Sequence, residues 1–325
     1  MEQYNHLVTV SVMTYNSADY VLETLESVFN QSHTRIALVI SDDCSSDATI
    51  AIAKEWIERQ IVRDRFESIE LMTVPENTGV SANCNRSIAA AKEEWVKFIA
   101  GDDILLPECI HDNMAFAKGN PEAHIIFSQV NMYQNTFDEE NYIRTSPEDY
   151  PVNLMHDHLS AHDQYQLLLL HDRIHYTPSF FCHREALLRV GGYDESNRLV
   201  EDYPMWLKLT ASGERLFYFH KPTVGYRIHS KAMNNIGDDV LFKPSIFNSF
   251  AIRKMAAHPF LPWEMVRSEE FVYNVSRFFQ DNGWNKKTKR NVSLYNFLIF
   301  YLNPFHYIYA IKKRLPRNKQ NAFYQ

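Results

Sequence analysis

The sequence predicts an α/β fold in which a mostly parallel sheet is covered by helices on both faces and followed by a helical C-terminal extension. Three observations support this fold class. Strand-like and helix-like apolar patterns alternate over the first hundred residues, as is typical of parallel sheets. Clusters of polar residues follow the predicted strands. Beyond about residue 236 the apolar residues recur only at helical spacing.

The predicted elements follow from apolar periodicity. In chain order they are a strand at 9–13, a helix beginning near 21, a strand at 36–40, a helix at 50–61, a strand at 69–74, a helix at about 78–91 and a strand at 95–99. The chain has 325 residues and is 45% apolar, which is enough for one large domain and a helical extension.

Polar clusters stand at the carboxyl ends of the predicted strands, at 14–16, 42–43, 76–79 and 101–103. In open sheets of this kind ligands bind beyond those ends, because loops and helix N-termini converge there. Asp102 and Asp103 have no Lys or Arg beside them, and two adjacent anions favour a cation. Taken alone, the pair would fit a solvated turn better.

Seven motifs follow one another through the first two thirds of the chain. They are Val-Ser-Val-Met-Thr-Tyr-Asn at 10–16, Ser-Val-Phe-Asn-Gln-Ser at 27–32, Ser-Asp-Asp-Cys-Ser-Ser-Asp at 41–47, Asn-Thr-Gly-Val-Ser at 77–81, Gly-Gly-Tyr-Asp-Glu at 191–195, Glu-Asp-Tyr-Pro-Met-Trp-Leu at 201–207 and Tyr-Arg-Ile-His-Ser at 226–230. In order and spacing they resemble the inverting family 2 glycosyltransferases, which have the Rossmann-like GT-A fold. The resemblance covers about residues 8–235. It implies a catalytic domain at 1–235, with a nucleotide-sugar half at about 1–105 and an acceptor half at about 106–235, and a helical region at 236–325.

The resemblance implies a donor-binding site at the carboxyl ends of the strands. Its predicted members are Thr14, Tyr15, Asn16, Asp42, Asp43, Asn77, Gly79, Arg86 and Asp102. A carboxylate of the Asp42–Asp43 pair would accept the ring N–H of the base, which favours uridine because cytosine has no such group. The basic residue that contacts the diphosphate in the family is either absent here or displaced to Arg86. For Asp42 and Asp47 the alternative is helix capping, which we favour for Asp47.

The resemblance also implies a divalent metal, Mn or Mg, bound by Asp102, Asp103 and His229. The first Asp of the family's Asp-x-Asp element is Ala100 in this chain. Mg needs only one or two protein carboxylates as ligands when phosphates and water supply the remaining ligands. Asp103 could instead shape the loop, and His229 could be an ordinary surface or core imidazole.

Asp202 is the predicted catalytic base. It would take a proton from an acceptor hydroxyl while that oxygen attacks the anomeric carbon, so that a single displacement inverts the configuration. The alternative for Glu201 and Asp202 is a favourable charge at a helix N-terminus. Glu201, Ser179 and Trp206 are expected on the acceptor side, with Thr177–Phe181 as a strand in the floor of the cleft.

Residues 133–176 break the strand–helix rhythm and contain five histidines, at 156, 158, 162, 171 and 175. Their spacing fits a zinc site poorly. We interpret this segment as an acceptor-recognition loop.

The C-terminal part differs in charge. Residues 285–325 contain nine Lys or Arg and no Asp or Glu, whereas the first 284 residues have 24 bases and 40 acids. This asymmetry indicates an anionic partner.

An aromatic-rich apolar stretch at 294–311 lies between two basic clusters and suits a membrane interface. The alternative is a helix pair docked on the protein's own core. Nucleic acid is not expected, because no binding module surrounds the tail.

The predicted function is transfer of a sugar from a nucleotide-sugar to a glycan or lipid-linked glycan in surface polysaccharide biosynthesis. With no secretory leader pattern and four scattered cysteines, we expect a cytoplasmic protein peripheral on the inner face of the cytoplasmic membrane. One alternative is a nucleotidyltransferase, although the first loop lacks the basic, Gly-rich character that a triphosphate needs. The other is a non-catalytic sugar-nucleotide binder or assembly protein with a degraded metal site.

Overall fold

A computed structural model describes residues 6–196, 201–230, 240–243, 245–316 and 323. The chain divides into two compact units. One comprises Met1–Gln164 with Arg173–His229, and the other comprises Tyr165–Asp172 with Ser230–Gln325. All the residues predicted for the donor site, the metal site and the catalytic base belong to the first unit.

The first unit is built on a nine-stranded sheet with the spatial order β3-β2-β1-β4-β8-β6-β9-β5, and β7 pairs with β6. The strands are β1 Val8–Thr14, β2 Ile36–Asp42, β3 Ser68–Thr73, β4 Trp95–Ala100, β5 Ile104–Leu105, β6 Ile125–Gln134, β7 Tyr142–Ser146, β8 Phe181–His183 and β9 Leu216–Ile228. The pairs β1–β2, β1–β4 and β2–β3 are parallel, as is β6–β9, and β8 joins the two halves through antiparallel pairs.

The helices lie between the strands and after them. They are α1 Val21–Phe29, α2 Thr49–Glu58, α3 Gln60–Arg65, α4 Val80–Ala90, α5 Cys109–Gly119, α6 Val152–Met155, α7 Ala161–Leu170, α8 Arg184–Arg189, α9 Asp202–Ala211, α10 Ser245–Ala256, α11 Trp263–Asp281, α12 Lys289–Asn296 and α13 Pro304–Arg314. The predicted α/β class is confirmed. None of the helices that the structure describes is both long and apolar enough to span a bilayer.

Two predicted boundaries differ for local reasons. The helix expected at 50–61 is divided into α2 and α3, because Arg59 is extended (φ −64°, ψ 126°). The helix expected from about residue 78 begins at Val80, because the backbone N–H groups of Thr78 and Gly79 donate to the Asp43 carboxylate and Gly79 has a φ of 92°. A left-handed φ of this kind favours glycine.

The prediction of a strand at 177–181 is wrong for residues 177–180. Residues Thr177–Ser179 form a 3₁₀ turn and β8 begins at Phe181. Pro178 has no N–H to give to a sheet. Its carbonyl oxygen instead accepts from Lys97 Nζ at 2.6 Å, and Phe180 O accepts from the same ammonium at 3.2 Å. Burial lowers the pKa of Lys97 to about 8.

The second unit has its own core of Phe242, Phe279 and Tyr295. The Tyr295 hydroxyl lies 2.7 Å from Ser276 Oγ, so its polar end is hydrogen-bonded inside the core. Partly buried residues of α10, α11 and α12 pack around the three rings.

Candidate functional site

The carboxyl ends of β1, β2 and β4 meet as the parallel pairing requires. Thr14 ends β1, and its hydroxyl donates to Asp42 Oδ2 at 2.8 Å. Gly101 follows β4, and a Cβ at this position would lie only 2.8 Å from Thr14 Cγ2. Any side chain would therefore push the two strand ends apart, so glycine is required here by close packing.

Asp42 is fully buried. Besides Thr14, its carboxylate accepts from the Ser45 N–H at 2.8 Å and the Ser45 hydroxyl at 2.5 Å. The structure thus uses Asp42 to hold the loops after β1 and β2 together. The prediction that a carboxylate of the Asp42–Asp43 pair accepts the base N–H directly is not what the structure shows, because both side chains are enclosed by protein donors.

Asp43 binds the start of α4. Its carboxylate accepts from the Thr78 hydroxyl at 2.6 Å, the Gly79 N–H at 2.7 Å and Arg86 Nη2 at 2.8 Å. Burial alone would raise the pKa of Asp43, but these hydrogen bonds outweigh it and the pKa lies below its ordinary value. Arg86 also donates to Thr78 Oγ1, so its guanidinium serves this anchor rather than standing open to a diphosphate.

Asp47 lies just before α2, whose N-cap residue is Ala48. The Asp47 carboxylate accepts the Thr49 N–H at 3.0 Å and the Ala18 N–H at 3.0 Å. It therefore binds the first turn of the helix without occupying the N-cap position itself.

Tyr15 and Asn16 line the open side of the same loops. Tyr15 is 52% exposed, so its ring is available to a planar base. Asn16 has a φ of 50°, a conformation that asparagine tolerates, and its Oδ1 accepts the Ser46 N–H at 2.8 Å. Asn77 Nδ2 donates to Asp43 O at 3.3 Å, which fixes the neighbouring loop.

Asp102 and His229 form a pair at the end of β4. His229 Nε2 lies 3.1 Å from Asp102 Oδ2, and the Asp102 side chain is 31% exposed. Tyr20 packs on the imidazole with its ring centroid 4.5 Å away. One carboxylate and one imidazole this close fit a divalent cation that takes its remaining ligands from phosphate and water. In the described part of the chain, no cluster of three or more His, Cys, Asp or Glu side chains has metal-binding geometry.

Asp103 does not fit the predicted role of metal ligand. It is 2% exposed, and its Oδ1 accepts the Arg227 N–H at 2.8 Å. Burial, and next the charge of Asp102, raise the pKa of Asp103 well above its ordinary value. A buried carboxyl group of this kind shapes the loop, which was the alternative that the sequence left open.

Sequence reasoning missed Arg227. The residue is 2% exposed, its Nε donates to Asp102 O at 2.7 Å, and its other nitrogens bind Asn135 O and the Glu23 carboxylate. The rings of Tyr20 and Phe137 stack against the guanidinium, at 4.7 and 4.2 Å. Its place two residues before His229, in the Tyr-Arg-Ile-His-Ser motif, was the signal that could have revealed it.

Glu201 and Asp202, the predicted acceptor-side residue and the predicted base, lie at the start of α9. Asp202 is the first residue of α9, and Glu201 is its N-cap residue. Burial raises the pKa of the Cys84 thiol, and the charges of Glu201 and Asp202 raise it further, so both carboxylates are close to α4. Cys84 Sγ lies 3.2 Å from Met13 Sδ, and Met13 pairs with Ala100 at the end of β4. The start of α9 therefore lies at the carboxyl edge of the sheet, the edge that also carries Asp102.

Asn85 ties α4 to the turn that precedes this acidic pair. Its Nδ2 donates to Tyr193 O at 2.9 Å, and its Oδ1 accepts the Tyr193 N–H at 2.8 Å. Gly192 has a φ of 69°, and a Cβ there would lie 2.5 Å from Asn85 Oδ1. The Gly191–Gly192 motif thus allows the backbone to turn against the asparagine.

Trp206 and Ser179 are buried and do not face an acceptor. Trp206 packs between Phe127 and Phe180, with centroids 5.0 and 4.9 Å away. Ser179 Oγ donates to Tyr176 O at 2.7 Å and accepts the Ser128 N–H at 2.9 Å. Both predictions fail for the same reason: these side chains support α9 and the 3₁₀ turn from inside. Glu201, which is half-buried, stays a candidate.

Comparison with known proteins gives one family. The model described as "Glycosyl transferase family 2" matches residues 9–191. An uncharacterized glycosyltransferase of Rickettsia typhi is 22% identical over 294 residues, which cover 87% of this chain and 83% of the relative. A putative teichuronic acid biosynthesis glycosyltransferase of Bacillus subtilis, TuaG, is 32% identical over 103 residues, covering 32% of this chain and 38% of that protein.

The fold is similar to that of solved glycosyltransferases. Residues 1–349 of TarS from S. aureus, in complex with UDP-GlcNAc, superpose with a TM-score of 0.58 at 16% identity, covering 98% of this chain and 88% of that one. Against a longer TarS chain the match spans 54% of that protein. A mannosyltransferase from Pyrobaculum calidifontis, in complex with GDP-Man and Mn²⁺, superposes with a TM-score of 0.50 at 16% identity, covering 95% of this chain and 75% of that one.

Proposed function

Because the chain belongs to glycosyl transferase family 2 and is a glycosyltransferase, we propose that it moves a sugar, with inversion, from a UDP-sugar to a hydroxyl of a glycan or lipid-linked glycan. The observation that carries the proposal is the arrangement at the carboxyl edge of the sheet. The partly exposed carboxylate of Asp102 lies there at the end of β4, and the acidic start of α9 lies beside Cys84. The matches to teichuronic acid and succinoglycan biosynthesis proteins support a role in surface polysaccharide synthesis.

The donor nucleotide would bind along the loops after β1, β2 and β3. Tyr15 offers an exposed ring for the base, while Thr14, Asp42 and Asp43 keep the loops in place. Loop backbone groups and the Asn16 side chain then contact the base and ribose, in place of the buried carboxylates. TarS complexes with UDP and UDP-GlcNAc support uridine as the base.

Asp102 and His229 would hold a divalent cation, Mn²⁺ or Mg²⁺, whose charge offsets the negative charge of the leaving diphosphate. Arg227 fixes the position of Asp102 relative to His229, because it binds the backbone of Asp102 and belongs to the strand that leads to His229. Ala100 at the first position of the metal element leaves Asp102 as its accessible carboxylate.

Asp202 acts as the general base. Its carboxylate takes the proton of the acceptor hydroxyl as the oxygen forms a bond to the anomeric carbon. The bond between that carbon and the diphosphate oxygen breaks at the same time, and the nucleoside diphosphate leaves with the electron pair. Attack from the face opposite the leaving group inverts the anomeric configuration.

The substitution Asp202→Asn tests this assignment. The amide has the size of the carboxylate but cannot accept the proton, so we expect kcat to fall about 100-fold or more. Calorimetry with UDP and Mn²⁺ should give the wild-type affinity, since Asp202 does not bind the nucleotide. Glu185→Gln, at an exposed position of α8 in the same unit, is the matched control and should lose far less. Wild-type turnover by Asp202→Asn would refute the assignment.

A second candidate is a non-catalytic sugar-nucleotide binder, favoured by Ala100 at the metal element. A panel of UDP- and GDP-sugars, tested for metal-dependent hydrolysis and for binding, separates the two. Binding without hydrolysis or transfer of any donor would support the binder.

The acceptor would bind in the half of the first unit that follows α4, where residues 133–164 carry the exposed side chains of Tyr142, Ile143 and Val152. We also place the enzyme at the inner face of the cytoplasmic membrane, in peripheral contact through its C-terminal tail. A lipid-linked acceptor would be presented at that surface.

A further inference from the structure

The C-terminal helices expose a group of large apolar side chains in the second unit. The aromatic surface, as we define it, comprises Phe297, Phe300, Tyr301, Leu302, Tyr307 and Ile311, which are between 49% and 66% exposed. Single exposed apolar residues are ordinary, but several close together in one segment mark a site of interaction.

The segment is held in a defined position by its other side. Lys312 Nζ donates to Glu264 Oε2 at 2.7 Å, and Glu264 is fully buried. Asn303, also fully buried, donates to Ser268 Oγ at 2.8 Å. The ring of Phe305 packs edge-on against Trp263, with centroids 6.2 Å apart. These contacts fix α13 on α11.

The free side of α13 has helical periodicity. Pro304, Tyr307, Ile311 and Arg314 are all exposed and follow the spacing i, i+3, i+7 and i+10, which places them along one face. One side of the helix therefore docks on the unit's own core, and among the described residues the opposite side carries exposed apolar and basic side chains.

The positive charge near the aromatic surface indicates an anionic partner. Six exposed cations flank the aromatic surface in the sequence: Lys286, Lys287, Lys289, Arg290, Lys313 and Arg314. No acidic residue occurs between 285 and 325. Two contributions stabilise peripheral binding to a bilayer. Aromatic rings insert among the headgroups, and flanking Lys and Arg side chains bind lipid phosphate.

We propose that the aromatic surface and its six cations dock on an anionic lipid bilayer, with Phe300, Tyr301 and Leu302 entering the headgroup region. This inference rests on the proposed membrane contact and names the surface that makes it. A second copy of the chain is a poorer occupant, because a symmetric contact would bring two sets of like charges together.

The test is co-sedimentation of the full chain with vesicles. Vesicles of mixed phosphatidylglycerol and phosphatidylcholine should bind the wild type, and vesicles of phosphatidylcholine alone should bind it far less. The variant Phe300→Ser, Tyr301→Ser, Tyr307→Ser, Ile311→Ser should lose about tenfold or more in affinity, because apolar burial at the interface is removed. Its melting temperature and UDP affinity report whether it is folded.

A matched control replaces exposed apolar residues of the first unit, with Ile61→Ser and Leu188→Ser. This control should bind vesicles like the wild type. Failure of the wild type to bind anionic vesicles would overturn the proposal. So would a wild-type dimer that the four-residue variant converts to a monomer, since a second copy would then occupy the surface.

The catalytic variant separates this inference from the proposed function. Vesicle binding needs no nucleotide, so Asp202→Asn should sediment like the wild type. If the wild type binds anionic vesicles but transfers no sugar, the proposed function fails and the docking surface stands.

Discussion

Arg227 shows how one buried side chain can organise a site. Its nitrogens bind Asp102 O, Asn135 O and Glu23, and its own N–H binds Asp103. The planar, five-donor guanidinium can bind several acceptors at once, which a lysine ammonium cannot do in this geometry. The loop that presents Asp102 is therefore held by groups from β9 and α1, which are distant in the sequence.

Asp43 provides a prediction at the same scale. Asp43→Asn should lower the free energy of unfolding by about 1–3 kcal/mol, because a buried charge-assisted hydrogen-bond network loses its charge. The folded-state pKa of Asp43 lies below its ordinary value, so the ionised form stabilises the fold. This contribution is complete above about pH 4 and is lost as the pH falls through the lower, folded-state pKa.

Urea unfolding of the wild type and Asp43→Asn at several pH values tests this. The difference in unfolding free energy should be constant from about pH 5 to 7 and shrink below about pH 4. A difference that is the same at all pH values would show that the carboxylate charge is not what stabilises the loop. Asp64→Asn, at an exposed position of α3, is the control and should change little.

Between elements, the critical connection joins α4 to the turn before α9. Both hydrogen bonds from Asn85 to the Tyr193 backbone cross from one helix to a loop more than a hundred residues later. Lys208 Nζ donates to Gly192 O at 3.0 Å, which ties α9 to the same turn. The position of Asp202 thus depends on α4 through this turn.

Asn85→Ala should therefore impair catalysis more than donor binding. Removing two backbone partners frees the turn, and a misplacement of about 1 Å can cost about 100-fold in rate. We expect kcat to fall while the affinity for UDP stays near the wild-type value. Steady-state kinetics and calorimetry on the same preparation measure the two effects.

Asn282→Ala is the control for Asn85→Ala, because Asn282 also donates a side-chain hydrogen bond to a backbone carbonyl, Phe278 O, but lies in the second unit. It should leave kcat unchanged. Equal losses of kcat and UDP affinity in Asn85→Ala would mean that the helix itself had moved, rather than the turn.

Across the whole molecule, the charge is strongly uneven. The formal charge of −7 is the sum of −16 over residues 1–284 and +9 over the remainder. On an anionic surface a protein with this charge distribution turns its basic segment toward the lipid, because the acidic part is repelled.

Salt dependence follows from this charge distribution. Binding to anionic vesicles should weaken steeply as NaCl is raised, since the Debye length falls from about 10 Å at 0.1 M to about 3 Å at 1 M. The apolar contribution of the aromatic surface should leave residual binding at high salt. Vesicle co-sedimentation across a salt series measures this, and salt-independent binding would contradict the role of the cations.

The sequence by itself determined the α/β class, the parallel pairing of the first four strands and the family. These depend on local apolar periodicity and on motifs a few residues long, and both are readable along the chain. It also predicts Asp102 and Asp202 as site residues, and it shows the basic, aromatic C-terminal segment directly.

Only the tertiary structure decided which polar side chains stay accessible. Asp42, Asp43, Asp103, Ser179 and Trp206 fit the site by position along the chain, yet each is enclosed by partners 28 or more residues away or by packed rings. Burial depends on such distant contacts, because a side chain's exposure is set by what folds over it. For the same reason the free face of α13 became visible only when its docked face was known.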